Sequence, residues 1–426
     1  MIIPSTAHAA FFKAAAYFKI RLHVVSCPAP SYRVSVGRVR KLINPNTIML
    51  VGSAPNFPHG IVDDIPALSK LATSYNGGIP LHVDCCLGSF LLPFLSSAGF
   101  ASPFAETGGF DFRVAGVTSI SVDTHKYGFA PKGNSVILYR SSHFRQYQYF
   151  ICPDWSGGVY GSPTLAGSRP GALIAGCWAS MMSLGQSGYI DACHKIVGTR
   201  ITIQNAINEH SVLRPALRVI GEPSVSVVAF TARDISDTGR NKGRASPEPI
   251  NIYDLADAMS SRGWHLNSLQ APPAVHIAVT MPLARVEAVD ALIDDLVQVV
   301  AELQTQDEIE NEDGEGNSKW LLPAEAEEAR RPSPADHETA AEAVAVAAAA
   351  TNNHNDDNNT NNDNRSKEKA EQGGEKGAAK MREKPKSKSK SKPGRASALY
   401  GVAVQVPDKT VVERLVIGFL DTLYKA

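Results

Sequence analysis

The chain has 426 residues, of which 43% are hydrophobic, so it is long enough to bury one large core or two smaller ones. Its 42 lysine and arginine residues balance 42 aspartate and glutamate residues, and this charge balance excludes a general attraction to nucleic acid or to an anionic membrane surface. No apolar run reaches the roughly 18 to 20 residues that cross a bilayer, and the six cysteines show no C-x-x-C spacing, so we expect them to be reduced and buried.

The N-terminal segment, MIIPSTAHAAFFKAAAYF, predicts a helix that begins after Pro4, with Ser5 or Thr6 as its cap. The segment lacks the basic start and the cleavage site of a signal peptide. Because such a helix usually lies within a domain, we expect further sequence upstream of residue 1.

Short apolar runs alternate with helical patterns from residue 1 to about residue 205. Each run ends in polar residues, glycine or proline, which is typical of strands. The predicted strands are RLHVVS, TIMLVGS, IPLHVDCC, VTSISVD and SVILYR. Nearly continuous apolar strands between helices indicate an α/β domain with a mostly parallel sheet, covered on both faces.

A long helical region near residue 200 leads into a second unit. Strands at VSVVAF and AVHIAVT, with helices at NIYDLADAMSSRG and LARVEAVDALIDDLVQVVAEL, predict a smaller α+β domain over 206–303 and 397–426. Residues 304–396 hold blocks of charge and asparagine with few aromatic or branched side chains, so we expect a disordered insertion. Its basic run at 384–395 is interpreted as a solvated linker, with a nuclear or nucleic-acid patch as the alternative.

A lysine follows one of the predicted strands. In SISVDTHKYG the apolar strand ends in a polar turn, and Lys126 lies just beyond its carboxyl end. Ligands of open parallel sheets bind in the crevice at those ends, and a partly desolvated lysine can attack a carbonyl. The alternative is an ordinary surface pair of His125 and Lys126.

The strand IPLHVDCC carries Asp84 to what should be the same sheet edge. A carboxylate there could pair with a protonated pyridine nitrogen, although a turn or capping role is the simpler alternative. His82 shares a strand face with Asp84, whereas Cys85 points to the other face. No second pair of ligands is nearby, so we expect no metal site.

Two further segments could contact a planar, phosphorylated ligand. His8, near the predicted N-terminal helix, could stack on a ring, although an isolated histidine is more often a core residue. The glycine- and serine-rich segment WSGGVYGSPTLAGSRPG runs into a helix, where backbone amides with Ser168 or Arg169 could hold a phosphate. The alternative for this segment is a long surface loop.

Taken together, five segments resemble the sphingosine-1-phosphate lyase family of pyridoxal-phosphate enzymes, which is related to the group II decarboxylases. The resemblance covers nearly all of residues 1 to about 205 and returns at LYGVAVQVPD near the C-terminus. The segments are PSTAHAAFFKAA, VGSAPNFPHGIVDDI, HVDCCLGSFLLPF, SISVDTHKYGFAPKGNSVILYR and DWSGGVYGSPTLAGSRPGALIAGCWASM.

The resemblance implies a fold-type I large domain that binds pyridoxal 5'-phosphate. Lys126 matches the lysine that holds the cofactor as a Schiff base, and His125 matches the histidine beside the cofactor phosphate. Asp84 matches the aspartate at the pyridine nitrogen, and His8 the histidine stacked on the ring. Ser168 matches a serine that reaches the phosphate from a neighbouring subunit, which implies a homodimer with shared sites.

On the substrate side, Lys132 and Tyr160 match residues that line the site, where a phosphate group or a proton must be handled. Lys126, His125 and Lys132 are therefore the residues expected to act in catalysis. The implied reaction cleaves sphingosine 1-phosphate, or a related phosphorylated long-chain base, to phosphoethanolamine and a long-chain aldehyde. The implied location is the cytosolic face of the endoplasmic reticulum membrane.

The sequence departs from the family pattern at its N-terminus. The family's phosphate-gripping loop and membrane anchor should precede residue 1, so the resemblance predicts an N-terminally truncated chain. Two alternatives stay open. The chain could be an amino-acid decarboxylase of the same fold, or an inactive fragment that serves as a binding subunit.

Overall fold

Six strands form the central sheet of the computed structural model, which describes residues 1–152, 155–158, 160–233 and 250–312, with only the backbone from residue 306. Their order is β2-β1-β3-β4-β5-β6, and every neighbouring pair is parallel except β5 and β6. The strands are β1 (Ile2–Pro4), β2 (His23–Val25), β3 (Leu50–Ser53), β4 (Leu81–Asp84), β5 (Val117–Val122) and β6 (Val136–Tyr139). The predicted α/β class with a mostly parallel sheet is confirmed.

The helices follow the strands as crossover connections require. All residues of β3 and β4 are buried, because a parallel sheet is covered on both faces. The helices of this half are α1 (Ala9–Tyr17), α2 (Val36–Leu42), α3 (Ile65–Thr73), α4 (Ser142–Arg145) and α5 (Gly171–Glu209). Helix α5 is kinked at Gly185, whose φ of 58° is readily adopted only by glycine.

The prediction for the N-terminus was wrong in one respect. Ile2 and Ile3 form a buried strand, and the backbone N–H of Ser5 still donates to Val25 O in the sheet at 2.8 Å. The Ser5 hydroxyl accepts from Cys27 N, so it cannot cap a helix. The helix begins later, at Ala9, and its cap is His8.

A second, antiparallel sheet has the strand order β11-β12-β10-β9. The predicted strands at VSVVAF and AVHIAVT are present as β10 and β12. The elements of this half are α6 (Leu213–Ala216), β9 (Leu217–Val219), β10 (Val227–Ala232), α7 (Ile252–Ser261), β11 (Asn267–Gln270), β12 (Pro273–Ala278) and α8 (Val286–Glu312). A separate hairpin pairs β7 (Phe150–Cys152) with β8 (Tyr160–Ser162).

All described residues belong to one compact unit, Met1–Asn317. The predicted division at residue 205 stays a prediction. Helix α8 continues to Glu312, past residue 304 where the insertion was predicted to begin. The rest of the insertion, with its basic run, and the segment 397–426 lie outside the described residues.

Two expectations about the whole chain can be compared with this part of it. The six cysteines are free, four of them buried and two, Cys86 and Cys152, partly exposed. Within the described ranges, no helix combines the length and the apolarity needed to cross a bilayer.

Candidate active site

The carboxyl ends of β3, β4 and β5 meet at one edge of the central sheet. Ser53 lies opposite Asp84 in the β3–β4 pair, and Asp84 lies opposite Ser121 in the β4–β5 pair. The predicted lysine segment leaves the sheet directly after β5. The structure therefore places Asp84 and the start of this segment on neighbouring strands at the edge where open parallel sheets bind ligands.

In the segment after β5, which we call the lysine loop (residues 123–134), Lys126 and His125 lie around one carboxylate. Lys126 Nζ lies 2.8 Å from Asp123 Oδ2, and His125 Nε2 lies 3.9 Å from the same oxygen. The Ser135 hydroxyl donates to the other carboxylate oxygen. Lys126 retains 30% side-chain exposure, so its amine is reachable by a ligand from solvent.

The electrostatics of Asp123 are dominated by these neighbours. Partial burial by itself would raise the pKa of Asp123, but hydrogen bonds from Lys126 and Ser135 and the charges of Lys126 and His125 outweigh it. The net result is a pKa below the ordinary value of 3.8. Asp123 is therefore an anion at neutral pH.

Hydrogen bonds inside the lysine loop fix its shape. The Thr124 hydroxyl donates to Asn134 O at 2.9 Å, and His125 Nδ1 donates to the same carbonyl at 2.8 Å. Because Nδ1 of His125 is used in this hydrogen bond, Nε2 is the ring nitrogen that remains for other partners. That nitrogen is the one on the side of Asp123.

The second sheet and helix α5 hold the loop from outside. The buried Tyr127 hydroxyl donates to Val279 O at 2.9 Å, just past β12. The Tyr189 hydroxyl donates to Gly128 O at 2.9 Å. The loop next to Lys126 is thus braced by two separate elements, which pre-positions the amine.

Asp84 is almost completely buried at the end of β4, with 8% exposure. Its Oδ1 accepts from the Ser121 hydroxyl at 3.0 Å and from Cys86 N at 3.2 Å. A buried carboxylate with hydrogen-bond donors on one oxygen can present the other to a cationic ligand group. This is the arrangement expected for a partner of a protonated ring nitrogen.

His8 lies at the start of α1. Its Nδ1 accepts from Ala10 N at 3.1 Å, which is a capping contact. Phe11, one turn further on, packs against His82 of β4 with ring centroids 5.8 Å apart. The exposed His8 ring contacts Phe57 edge-on at 6.2 Å and is free to meet a planar ligand.

The remaining predicted site residues are at the surface. Lys132 and Ser168 are exposed, and Tyr160 is 41% exposed and packs edge-on against Trp155. Lys132 belongs to the lysine loop itself, and in the described ranges no hydrogen bond joins Tyr160 or Ser168 to that loop. Their predicted roles stay predictions.

Sequence reasoning missed Asp123 and Ser121 as members of the site. Asp123 precedes Lys126 by one turn, and this acid–lysine spacing was a usable signal. Ser121 could not be recognised in this way, because its contact with Asp84 depends on the pairing of two strands. In the part of the chain that the structure describes, no group of three or more histidine, cysteine, aspartate or glutamate side chains could hold a metal ion.

Comparison with known proteins identifies named relatives of the chain. Sphingosine-1-phosphate lyase of Saccharomyces cerevisiae is 41% identical over 426 residues, which is 100% of this chain and 54% of the yeast protein. Sphingosine-1-phosphate lyases of several other organisms are similar to the chain at 35–47% identity. The chain spans about half the length of the curated relatives it matches. No protein-family model matches it.

Solved structures support the fold. A sphingosine-1-phosphate lyase of Burkholderia pseudomallei superposes with a TM-score of 0.63 at 40% identity, covering 73% of this chain and 65% of that one. A glutamate decarboxylase of Lactobacillus brevis superposes with a TM-score of 0.59 at 21% identity, covering 71% of this chain and 66% of that one. The second likeness concerns the fold alone.

Proposed function

We propose that this protein is a pyridoxal-phosphate-dependent carbon–carbon lyase of the sphingosine-1-phosphate lyase type. Its substrate would be sphingosine 1-phosphate or a related phosphorylated long-chain base, and its products phosphoethanolamine and a long-chain aldehyde. The observation that carries the proposal is the braced lysine loop, which presents Lys126 beside the strand that ends in buried Asp84. Identity of about 40% to named lyases supports the choice of reaction.

The donor set of the site fits the cofactor. The cofactor has an aldehyde, a ring nitrogen that can be protonated and an aromatic face. The site offers a reachable amine for the aldehyde, a buried carboxylate for the nitrogen and a surface imidazole for the face. Lys126 would bind the aldehyde, Asp84 the ring nitrogen, His125 the phosphate, and His8 the ring face. When bound, the cofactor supplies an electron sink that lets the bond between Cα and Cβ break.

The chain's own residues would prepare that step. Asp123 holds the Lys126 ammonium at 2.8 Å and is placed to exchange a proton with it when the amine is released. Asp84, whose Oδ1 accepts from Ser121 and Cys86 N, would offer its other carboxylate oxygen to the ring nitrogen. Lys132 and Tyr160 would contact the substrate phosphate or move a proton on the substrate side.

A homodimer is part of the proposal. Ser168 is exposed and is proposed to complete a partner subunit's phosphate site. The first half of α5, which follows Ser168, carries an exposed apolar face that includes Ile174, Trp178 and Met182, with exposures of 57%, 62% and 66%. Burying such a face against a second copy would remove it from water. Family resemblance also suggests action at the cytosolic face of the endoplasmic reticulum membrane.

The central test is reduction with borohydride in the presence of pyridoxal phosphate. We expect a pyridoxyl group on Lys126, found by peptide mass mapping. Lys195→Ala, which removes an exposed lysine paired with Asp191 on α5, should be labelled like the wild type. Lys126→Ala should lose the label. If Lys126→Ala is still labelled, the label must lie on other lysines, and the proposed role of Lys126 would be refuted.

Two product assays decide between the remaining alternatives. Release of a long-chain aldehyde from a phosphorylated sphingoid base supports the lyase. Release of carbon dioxide from amino acids without aldehyde would support the decarboxylase. A protein that takes up no cofactor at saturation would instead be a binding subunit.

A further inference from the structure

Four polar side chains lie together on one face of β4 and β5, where a sheet interior is usually apolar. His82, Asp84 and Ser121 are each 8% exposed, and Ser119 is next to them. Ser119 Oγ lies 2.8 Å from His82 Nδ1, and His82 Nε2 lies 3.3 Å from Ser121 Oγ. Ser121 Oγ lies 3.0 Å from Asp84 Oδ1. We call this row the polar ladder.

Counting protons gives the ladder one direction. The carboxylate only accepts, so the single Ser121 hydroxyl proton goes to Asp84. The contact between His82 and Ser121 must then be made by a proton on Nε2. Burial lowers the pKa of His82 despite the charge of Asp84, so the ring is neutral and its Nδ1 accepts from Ser119. Three donors in series therefore point toward Asp84.

A purely structural role does not explain this arrangement. Apolar side chains of similar size pack a sheet interior at least as well as a buried polar network, which costs desolvation. Phe11 of α1 packs against His82, in the middle of the ladder. Asp84 is the ladder residue at the carboxyl end of β4. The ladder thus ends at the residue proposed to meet the cofactor.

We propose that Ser121, His82 and Ser119 are positioning residues that orient the Asp84 carboxylate toward the cofactor ring nitrogen. Each donor polarises the next, so the series stabilises the carboxylate more than Ser121 alone would. The inference rests on the proposed function, because it assigns the ladder to the same cofactor.

The test compares cofactor binding between matched variants. Ser121→Ala should weaken pyridoxal phosphate binding about tenfold, as expected for one lost charge-assisted hydrogen bond. Ser121→Thr, which keeps the hydroxyl, should stay within about twofold of the wild type. Thr118→Val is the control. Thr118 lies on β5, like Ser121, but outside the ladder, and the change removes its hydrogen bond to Leu81 O.

A cofactor analogue separates positioning from general damage. In deazapyridoxal phosphate the ring nitrogen is replaced by C–H, so Asp84 has no cationic partner. Ser121→Ala should change binding of this analogue by less than about twofold. Equal losses for both compounds, or no loss for either, would overturn the proposal. If Ser121→Ala does not fold, Ser119→Ala should show the same difference at roughly threefold.

Failure of the proposed function can be recognised separately. If the wild type binds no pyridoxal phosphate and shows no adduct on Lys126, the proposed function falls and the inference falls with it. NMR spectra of ¹⁵N-histidine-labelled protein without cofactor test the ladder itself. The signals of His82 are assigned as those that disappear in His82→Phe. A neutral ring protonated at Nε2 supports the ladder, and a ring protonated at Nδ1 or a cationic ring overturns it.

Discussion

Asp63 offers a quantitative test of how the end of β3 is held in place. This carboxylate is buried, with 1% exposure, and binds two backbone groups. One oxygen accepts from Val34 N at 3.0 Å, and the other from Ser53 N at 2.9 Å. It therefore ties the segment before α2 to the strand that neighbours Asp84. Asp63→Asn is the informative change, because an amide oxygen can keep only one of the two bonds.

The magnitude follows from the raised pKa of Asp63. Burial raises it from 3.8 to about 6, although the bonds from Ser53 and Val34 and the charge of Arg33 oppose the rise. A folded-state pKa above the unfolded value favours the protonated form in the folded state. This stabilisation is fully present below pH 3.8 and is lost as the pH rises to about 6. At ~1.4 kcal/mol for each pKa unit, the loss is about 3 kcal/mol.

The assay is urea unfolding of the wild type and Asp63→Asn at several pH values from 4 to 7. Other titrating groups are common to both proteins and cancel in the difference. The wild type should be more stable at pH 4, and its advantage should shrink by about 2 to 3 kcal/mol by pH 7. A difference that does not vary with pH would show that the two backbone bonds fully compensate burial, and the reasoning would be refuted.

Two further predictions concern the site. Asp123→Asn should cost about 1 kcal/mol at pH 7, because it removes a partly exposed ion pair with Lys126. Since the folded-state pKa of Asp123 is lowered, this difference should shrink progressively as the pH falls below 3.8, and a difference that stays constant over that range would contradict the prediction. Gly88→Ala should destabilise the folded protein by several kcal/mol, because the added Cβ would lie 2.1 Å from Ala54 O. Gly161→Ala is the matched control, because its added Cβ would have no atom within 4 Å. Thermal unfolding compares the two variants, and equal midpoints would refute the clash.

The lysine and the aspartate of the site could be found from the sequence because each follows an apolar strand. The runs before Asp84 and Lys126 predict β4 and β5, and parallel strands bring their carboxyl ends to one edge. The N-terminal helix was predicted from its composition, but its start was not. Ser5 resembles a cap locally, yet its backbone and hydroxyl are taken by the neighbouring strand.

Sequence alone thus determined the mostly parallel α/β sheet and the resemblance to sphingosine-1-phosphate lyases, and it predicted Lys126 and Asp84 as site residues, because strand patterns and short motifs are local. The tertiary structure decided which groups surround them. The pairing of Ser121 with Asp84 depends on the register between two strands. The hydrogen bond from the Tyr127 hydroxyl to Val279 O joins residues far apart in the chain. Such contacts follow from how elements pack, and no single segment of the sequence contains that information.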